Sequence, residues 1–229
     1  MNLAYPPVTS RLITDQGPAP IGMIQTVTLS GDRVKEIAAK VEDLEKQGAK
    51  KLILDLRHCD TGSPEQGIAL ANLFLDKGLI SYSMGQRVRR EDYDANPSKA
   101  ITKLPLAVIV NRGTAGPAEI AAAALLDSKR ADVVGEHTYG DAAIRKPVTM
   151  EDGSAVILSV AKYYSPSGKA IQDTGVTPNI AQSETDPNAV VDDDQDLPDT
   201  PDTLNPPGAN PKPSADLMLK AAIDAVNKK

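Results

Sequence analysis

The stretch LPLAVIVNRGTAGPAEIAAAALLD, residues 104–127, decides the fold of this chain. Its first seven residues are apolar and rich in β-branched side chains, which predicts a buried strand over 104–110. A turn with two glycines follows, and the Ala-rich run after it predicts a helix over 117–128. Such a strand–turn–helix unit can expose a side chain beside free backbone N–H groups. Here the turn ends in Gly116 and Pro117, which have no reactive side chain.

The rest of the chain repeats this alternation of strand and helix. Alternating elements predict an α/β core with a mainly parallel sheet, and two strands around the turn EDGS predict a closing β-hairpin. The strands are expected at 21–29, 51–56, 79–82, 104–110, 132–134, 145–150 and 155–161, and the helices at 32–47, 68–75 and 117–128.

Composition divides the 229 residues into four parts. Residues 1–20 are Pro-rich and are expected to be a loose lead-in, and the α/β core is expected over 21–180. Residues 181–213 are rich in Pro and Asp and are interpreted as a linker, because such a composition buries little apolar surface. A helical pattern returns over 214–229. Within the core, the charged segment 87–98 is expected to be an irregular surface excursion.

Charge and composition exclude several function classes. The net charge is −6 and there is no long Lys/Arg run, which argues against nucleic-acid binding. No apolar run is long enough to span a bilayer, and residues 1–20 lack the apolar core of a signal peptide. The acidic run Asp192–Asp196 lacks the spacing of a calcium loop and is interpreted as solvated tail. We therefore expect neither a metal nor a cofactor.

Four segments, in this order, carry a resemblance to a known family. KLILDLRHCDTG at 51–62, NRGTAGPAEIAAAALLD at 111–127, RADVVGEHTYGDAAIRKP at 130–147 and DGSAVILSVAKYYSPSGKAIQDTGVTPNI at 152–180 resemble the core of the C-terminal processing (tail-specific) serine peptidases. The resemblance covers roughly residues 20–180 and implies a crotonase-like fold. It also implies a periplasmic or exported protein and a PDZ module upstream of the core, for which the residues before Ile21 are too few.

The resemblance also locates the family's catalytic groups. The serine nucleophile corresponds to Gly116, the lysine base to Asp141 and a supporting glutamine to Arg145, so all three polar groups are replaced. One oxyanion donor would be the N–H of the residue after the nucleophile, but that residue is Pro117, which has none. The second donor is expected from the glycine loop at Thr61 and Gly62.

Other residues were considered as replacements for the lost groups. Ser63 and Cys59 lie in the glycine loop, but Cys59 and the neighbouring His58 should point to opposite faces of an extended segment. Thr114 precedes the turn, and a lone histidine such as His137 is more often structural than catalytic. Each therefore has a plain structural interpretation.

Four further side chains have equally plain interpretations. Asp141 and Arg145 either form an ion pair across the old site or are solvated separately, and the sequence leaves both open. Tyr163 and Tyr164 are expected to pack in the sheet and hairpin.

These observations favour a pseudopeptidase, which keeps the fold of the family without its turnover. Its expected ligand is an extended peptide or the C-terminus of an unfolded protein, bound by strand addition, and it can also pair with a second copy of itself. One alternative is an active peptidase with a displaced nucleophile, Ser63 or Cys59. Others are a structural or assembly module, or an excised core fragment.

Overall fold

The computed structural model describes residues 5–184 and 216–229. Its elements are β1 (Thr9–Ile13), β2 (Ile21–Gln25), α1 (Arg33–Lys46), β3 (Lys51–Asp55), α2 (Pro64–Asn72), β4 (Leu79–Met84), β5 (Glu91–Asp94), a short 3-10 helix (Pro97–Lys99), β6 (Leu106–Val110), α3 (Pro117–Asp127), β7 (Ala131–Gly135), β8 (Ala143–Thr149), β9 (Ala155–Tyr164), β10 (Ile180–Ala181) and α4 (Leu217–Asn227).

The larger sheet has six strands in the order β1-β2-β3-β6-β7-β10. All neighbouring strands are parallel except β1, which runs antiparallel to β2. This arrangement confirms the α/β fold with a mainly parallel sheet. Helices cover both faces of such a sheet, and for that reason β6 consists only of apolar residues, all of them buried.

Side chains alternate between the two faces of this sheet and enter two separate cores. Leu52 and Leu54 point to the face covered by α1, α2 and α3, and Ile53 between them points to the opposite face. That second face is covered by α4, which buries Met218 and Val226 against it. The helical segment expected at 214–229 thus contains α4, and it closes the second core.

A salt bridge fixes the start of α4 to the end of β3. The Arg57 guanidinium donates to the fully buried Asp55 carboxylate at 2.7 Å and to the Asp216 carboxylate at 2.8 Å. Asp216 also caps α4, because its Oδ1 accepts from the Leu219 N–H at 2.9 Å. Partial burial alone would raise the pKa of Asp216, but the bonds from Arg57 and Leu219 outweigh it and hold the pKa below the ordinary 3.8.

The smaller sheet is antiparallel, with the order β5-β4-β9-β8. Strands β8 and β9 form the closing hairpin that the sequence predicted. Near its base, Ala161 and Tyr163 of β9 are buried and pack with α3 residues such as Ile120. Toward its tip, all residues from Ala155 to Ser159 are exposed. The hairpin residues 145–159 therefore project from the body of the protein, and we call them the arm.

Two predicted irregular segments contain strands instead. Residues 1–20 were expected to be a loose lead-in, yet β1 pairs along its whole length with β2, from Thr9↔Gln25 to Ile13↔Ile21. Segment 87–98 was expected to be irregular, yet β5 pairs with β4. Both are edge strands with mostly exposed side chains. Backbone hydrogen bonds to a neighbouring strand, rather than an apolar pattern, fix such strands, and a local sequence does not reveal those bonds.

The remaining elements differ from prediction mainly at their ends. Helix α2 begins at Pro64, four residues before the predicted start, because Ser63 takes the N-cap position and proline suits the first turn. Strand β2 ends at Gln25 rather than at residue 29. Residues 185–213 of the expected linker, including the acidic run at 192–196, lie outside the described residues.

We expect Asp216→Asn to show how strongly the salt bridge anchors α4. Asparagine keeps an oxygen for the cap but loses the ion pair, so the loss at neutral pH should be about 1 kcal/mol or less for this partly exposed group. Because the folded pKa of Asp216 is lowered, its contribution is present above pH 3.8 and disappears as the pH falls through the folded pKa.

Urea unfolding of both proteins between pH 3 and 7 measures this effect. The wild type and the variant should converge at the acidic end. A difference that stays constant or grows on acidification would contradict the assignment. Asp216→Ala, which removes cap and ion pair together, should be less stable than Asp216→Asn at neutral pH.

Candidate functional site

The candidate site lies at the carboxyl ends of three parallel strands, where open α/β sheets bind their ligands. Loop 58–63 follows β3, turn 111–116 follows β6 and turn 137–141 follows β7. Backbone hydrogen bonds join them: the Ala115 N–H donates to the Cys59 carbonyl at 3.0 Å, and the Tyr139 N–H donates to the Thr114 carbonyl at 3.0 Å. The fold therefore brings Gly62, Gly116 and Asp141 to one end of the sheet.

Gly116 has a backbone conformation that favours glycine. Its φ is 59° and its ψ is −119°, a conformation that residues with a side chain rarely adopt. A Cβ atom built there would meet the Asp141 carbonyl oxygen at 3.5 Å and the Asp60 carbonyl oxygen at 3.8 Å. Both are ordinary contact distances, so the turn has space for a side chain, although its positive φ would strain one.

The start of α3 offers no free backbone donor. Pro117 has no N–H, and the N–H of Gly116 donates to the Glu119 carboxylate at 3.0 Å. The N–H groups of Ala118, Glu119 and Ile120 donate to carbonyls within the same turn. An oxyanion placed at this turn would therefore find no donor from α3.

Glu119 is the central residue of the site, and the sequence analysis missed it. Its carboxylate is fully buried and accepts from four donors in two turns. Oε2 accepts from the N–H of Gly116 at 3.0 Å and of Asp141 at 2.8 Å, and Oε1 accepts from the Gly140 N–H at 2.7 Å and from the Thr138 hydroxyl. One signal was available: a glutamate at the third position of a helix commonly bonds back to the N-cap N–H.

The environment of Glu119 acts on its charge in two opposite ways. Burial raises the pKa of Glu119 above the ordinary 4.5, and the hydrogen bonds from Thr138 and from three backbone N–H groups partly offset that rise. All four groups that contact the carboxylate in this way are hydrogen-bond donors. A carboxylate, which only accepts, matches this arrangement better than a group that carries its own N–H.

Asp141 and Arg145 form the ion pair that the sequence left open. The Arg145 guanidinium in β8 donates to the Oδ1 of Asp141, four residues earlier in the chain. The two side chains are 37% and 45% exposed, so the pair adds little to stability. It nevertheless places a carboxylate, already engaged by a cation, at the position that the resemblance assigns to a lysine base.

Loop 58–63 keeps one potential donor. The Thr61 carbonyl accepts from the Leu29 N–H at 2.7 Å, which fixes the loop beside the end of β2. Gly62 has a φ of 140°, and a Cβ there would lie only 3.0 Å from Leu29. Its N–H donates to no residue in the described part of the chain. Of the two oxyanion donors that the resemblance implies, the one at Pro117 is absent and the one at Gly62 is available.

Cys59 and His58 lie in different environments, but the segment is not extended as predicted, because His58 has a φ of 57°. Cys59 is fully buried, and burial raises the pKa of its thiol to about 12. The His58 side chain is exposed, and its Nε2 lies 2.9 Å from the Asn111 amide nitrogen. Because the thiol is buried and protonated at neutral pH, it has neither the access nor the charge of a nucleophile.

The other replacement candidates each have a structural setting of their own. Ser63 is the N-cap of α2, is exposed, and its side chain makes no capping bond. The buried Thr114 hydroxyl donates to the Leu56 carbonyl at 2.9 Å. The His137 Nδ1 lies 2.9 Å from the Thr138 carbonyl. None of the three is hydrogen-bonded to a side chain that could act as its base or nucleophile among the described residues.

In residues 5–184 and 216–229, no three His, Cys, Asp or Glu side chains lie close enough to hold a metal ion. In the same residues, no helix has the length and apolar character needed to cross a membrane.

The tyrosines pack within the protein as predicted: Tyr163 is buried, and Tyr164 stacks on Tyr82 with ring centroids 4.9 Å apart.

Comparison with known proteins identifies the family. The model of peptidase family S41 matches residues 20–182. Carboxyl-terminal-processing peptidase 2 of Arabidopsis thaliana chloroplasts is 40% identical over 76% of this chain and 35% of its own length. The carboxy-terminal processing protease CtpA of Bacillus subtilis is 40% identical over 70% of this chain and 34% of its own length.

A solved structure shows the same relationship. The photosystem II D1 C-terminal processing protease superposes with a TM-score of 0.71 at 32% identity, covering 79% of this chain and 49% of that protein. This chain belongs to peptidase family S41, the C-terminal processing peptidases. It spans about a third of the length of the two curated relatives named above.

We expect Glu119→Gln to destabilise the protein by about 1–3 kcal/mol, because either orientation of the amide turns its NH2 group toward a backbone N–H and leaves that donor unsatisfied. The free energy of unfolding, measured in urea at neutral pH, tests this. Glu42→Gln, at an exposed position of α1, is the matched control and should unfold as the wild type does. Equal stability of the two variants would show that the four hydrogen bonds do not need a carboxylate.

Proposed function

We propose that this chain is a catalytically impaired member of peptidase family S41, a pseudopeptidase that binds an extended peptide without cleaving it. The observation that carries the proposal is the start of α3. The residue at the nucleophile position, Gly116, has no side chain, the next residue has no N–H, and the remaining N–H groups of the turn are already bonded.

Acyl transfer would lack three separate contributions in this site. There is no nucleophile at Gly116, and the base position holds Asp141, whose carboxylate is paired with Arg145. The third contribution is the oxyanion donor, whose loss costs about 3–4 kcal/mol of transition-state stabilisation in serine peptidases. The Gly62 N–H makes no hydrogen bond among the described residues, which supports binding of a carbonyl or carboxylate oxygen more than turnover.

A displaced nucleophile finds no support in the contacts of the candidates. Cys59 is buried with a raised pKa, and Ser63 makes no hydrogen bond that would activate it among the described residues. A serine hydroxyl without an adjacent base is a weak nucleophile. We therefore place the peptidase with a displaced nucleophile behind the pseudopeptidase.

The proposed ligand is an extended peptide that ends in a free carboxylate. The relatives are named for processing carboxyl termini, which makes such an end the first candidate. Strand β8 is an edge of the smaller sheet, and it begins at Ala143, two residues after Asp141. A peptide added along the first residues of β8 would reach the space above Gly116 and the N–H of Gly62.

We expect no cleavage of an unfolded, C-terminally tagged substrate by the wild-type chain at high concentration, with products analysed by mass spectrometry. The variant Gly116→Ser, Asp141→Lys, Arg145→Gln rebuilds the family's polar groups but retains Pro117. Adding Pro117→Ala to it restores an N–H at the oxyanion position and should raise any cleavage rate by about 10²-fold. The variant that retains Pro117 is the matched control. Wild-type cleavage that disappears on Ser63→Ala or Cys59→Ala would refute the proposal.

We expect an unstructured, fluorescently labelled peptide with a free C-terminus to bind the wild-type chain, as measured by fluorescence anisotropy. Amidation of its C-terminus removes the charge that the Gly62 N–H and nearby groups would contact, so the amidated peptide should bind more weakly. Equal affinity for both peptides would argue against carboxylate recognition. If neither peptide binds, the proposed peptide ligand is wrong.

A further inference from the structure

The arm exposes apolar side chains that a lone hairpin does not normally offer to water. Val148, Val156 and Leu158 are 43%, 46% and 47% exposed, and Ile157 is 70% exposed. A two-stranded hairpin is at best marginally stable in water unless another surface packs against it. Exposed apolar groups that are contiguous, rather than scattered, mark an interaction surface.

The register of the arm sorts these side chains into two faces. Val148 lies opposite Val156 and Lys146 lies opposite Leu158, and these two neighbouring pairs share one face. Pro147 and Ile157 form the pair that lies between these two along the arm, and their side chains are on the other face. The first face is therefore apolar with a cation at its inner end, and we call it the stripe.

The stripe continues into a groove at the base of the arm. The groove has a volume of about 730 Å³, and Leu158 and Lys146 line it together with Met84, Val88 and Arg87. Arg87 and Lys146 form no ion pair with any residue in the described ranges. The base of the arm is thus apolar and positively charged.

The tip of the same arm has the opposite charge. The turn between β8 and β9 begins with Met150, Glu151 and Asp152, and Met150 is 51% exposed. Glu151 makes no ion pair within the described residues. One arm therefore carries an apolar, acidic tip and an apolar, basic groove, which are complementary to each other.

Around Pro147, the free edge of β8 is poorly suited to strand addition. The Met150 N–H donates to the Ser154 carbonyl at 2.8 Å, so 150 and 154 form a hydrogen-bonded pair, and pairs alternate from there along the ladder. Pro147 with Ile157 is then a non-hydrogen-bonded pair, and residue 147 turns its backbone toward the free edge. Proline has no N–H to offer there, which blunts that edge. The face of the arm, not its edge, is left for contact.

We infer that the arm pairs with the arm of a second copy of this chain. In an antiparallel, two-fold arrangement, the tip of each arm lies over the basic groove of the other, and the two stripes meet between them. The same patch serves both copies, as a closed two-fold interface requires. Arms aligned in this way place Glu151 of each copy beside Lys146 and Arg87 of the other, and each stripe covers the other from water.

Sedimentation of the whole chain over a range of concentrations tests this pairing, and a dimer is the expected result. Glu151→Lys puts a cation at the tip and should raise the dimer dissociation constant by about tenfold or more. Lys146→Glu should do the same from the groove side. The chain that carries both substitutions exchanges the two charges and should recover most of the lost affinity. Failure of the double variant to recover would overturn the contact of tip with groove.

Apolar variants separate the stripe from the rest of the arm. Val156→Ser lies in the stripe and should weaken the dimer, whereas Ile157→Ser lies on the opposite face and should not. A chain that stays monomeric up to about 1 mM, where association is worth only about 4 kcal/mol, would overturn the inference. A dimer that Glu151→Lys and Val156→Ser leave unchanged would overturn it too, because its interface would lie elsewhere.

Discussion

One buried carboxylate, that of Glu119, maintains the shape of the candidate site. It bonds to Gly116 in the turn after β6 and to Thr138, Gly140 and Asp141 in the turn after β7. A buried group with four donors around it has few alternative arrangements, because any other leaves a donor unsatisfied. The two turns thus stay in register. The Glu119 carboxylate thus holds Gly116 and Asp141 close together at one end of the sheet.

The parallel sheet determines where those turns can meet. Strands β3, β6 and β7 run in the same direction, so the loops that follow them gather at the carboxyl ends of the strands. The helices on both faces of the sheet keep that end fixed. Arg57 extends this rigidity to the opposite face of the sheet, since it bonds to Asp55 at the end of β3 and to Asp216 at the start of α4. The loop that carries Gly62 follows β3, whose end is fixed to the start of α4 by this salt bridge.

Family membership and activity depend on different features of this chain. The S41 assignment rests on matched segments and superposed structure, whereas turnover depends on a few atoms: a nucleophile, a base and an oxyanion donor. Gly116 and Pro117 fit a plain helix start as well as any residues do, because glycine tolerates the left-handed N-cap and proline suits the first turn. The same pair of residues thus suits the helix start, while Gly116 supplies no nucleophilic side chain and Pro117 no N–H.

The sequence by itself determined the α/β alternation and the closing hairpin, because periodicity is a local property. The resemblance of its motifs to the family also indicated Gly116, Pro117, Asp141 and Arg145 as the residues to examine. The tertiary structure alone decided the rest. It made strands of 9–13 and 91–94, since an edge strand is fixed by bonds to a distant neighbour. It also paired Asp141 with Arg145 and placed Glu119 among its four donors. Those contacts join residues from different turns, and only the packed chain brings such turns together.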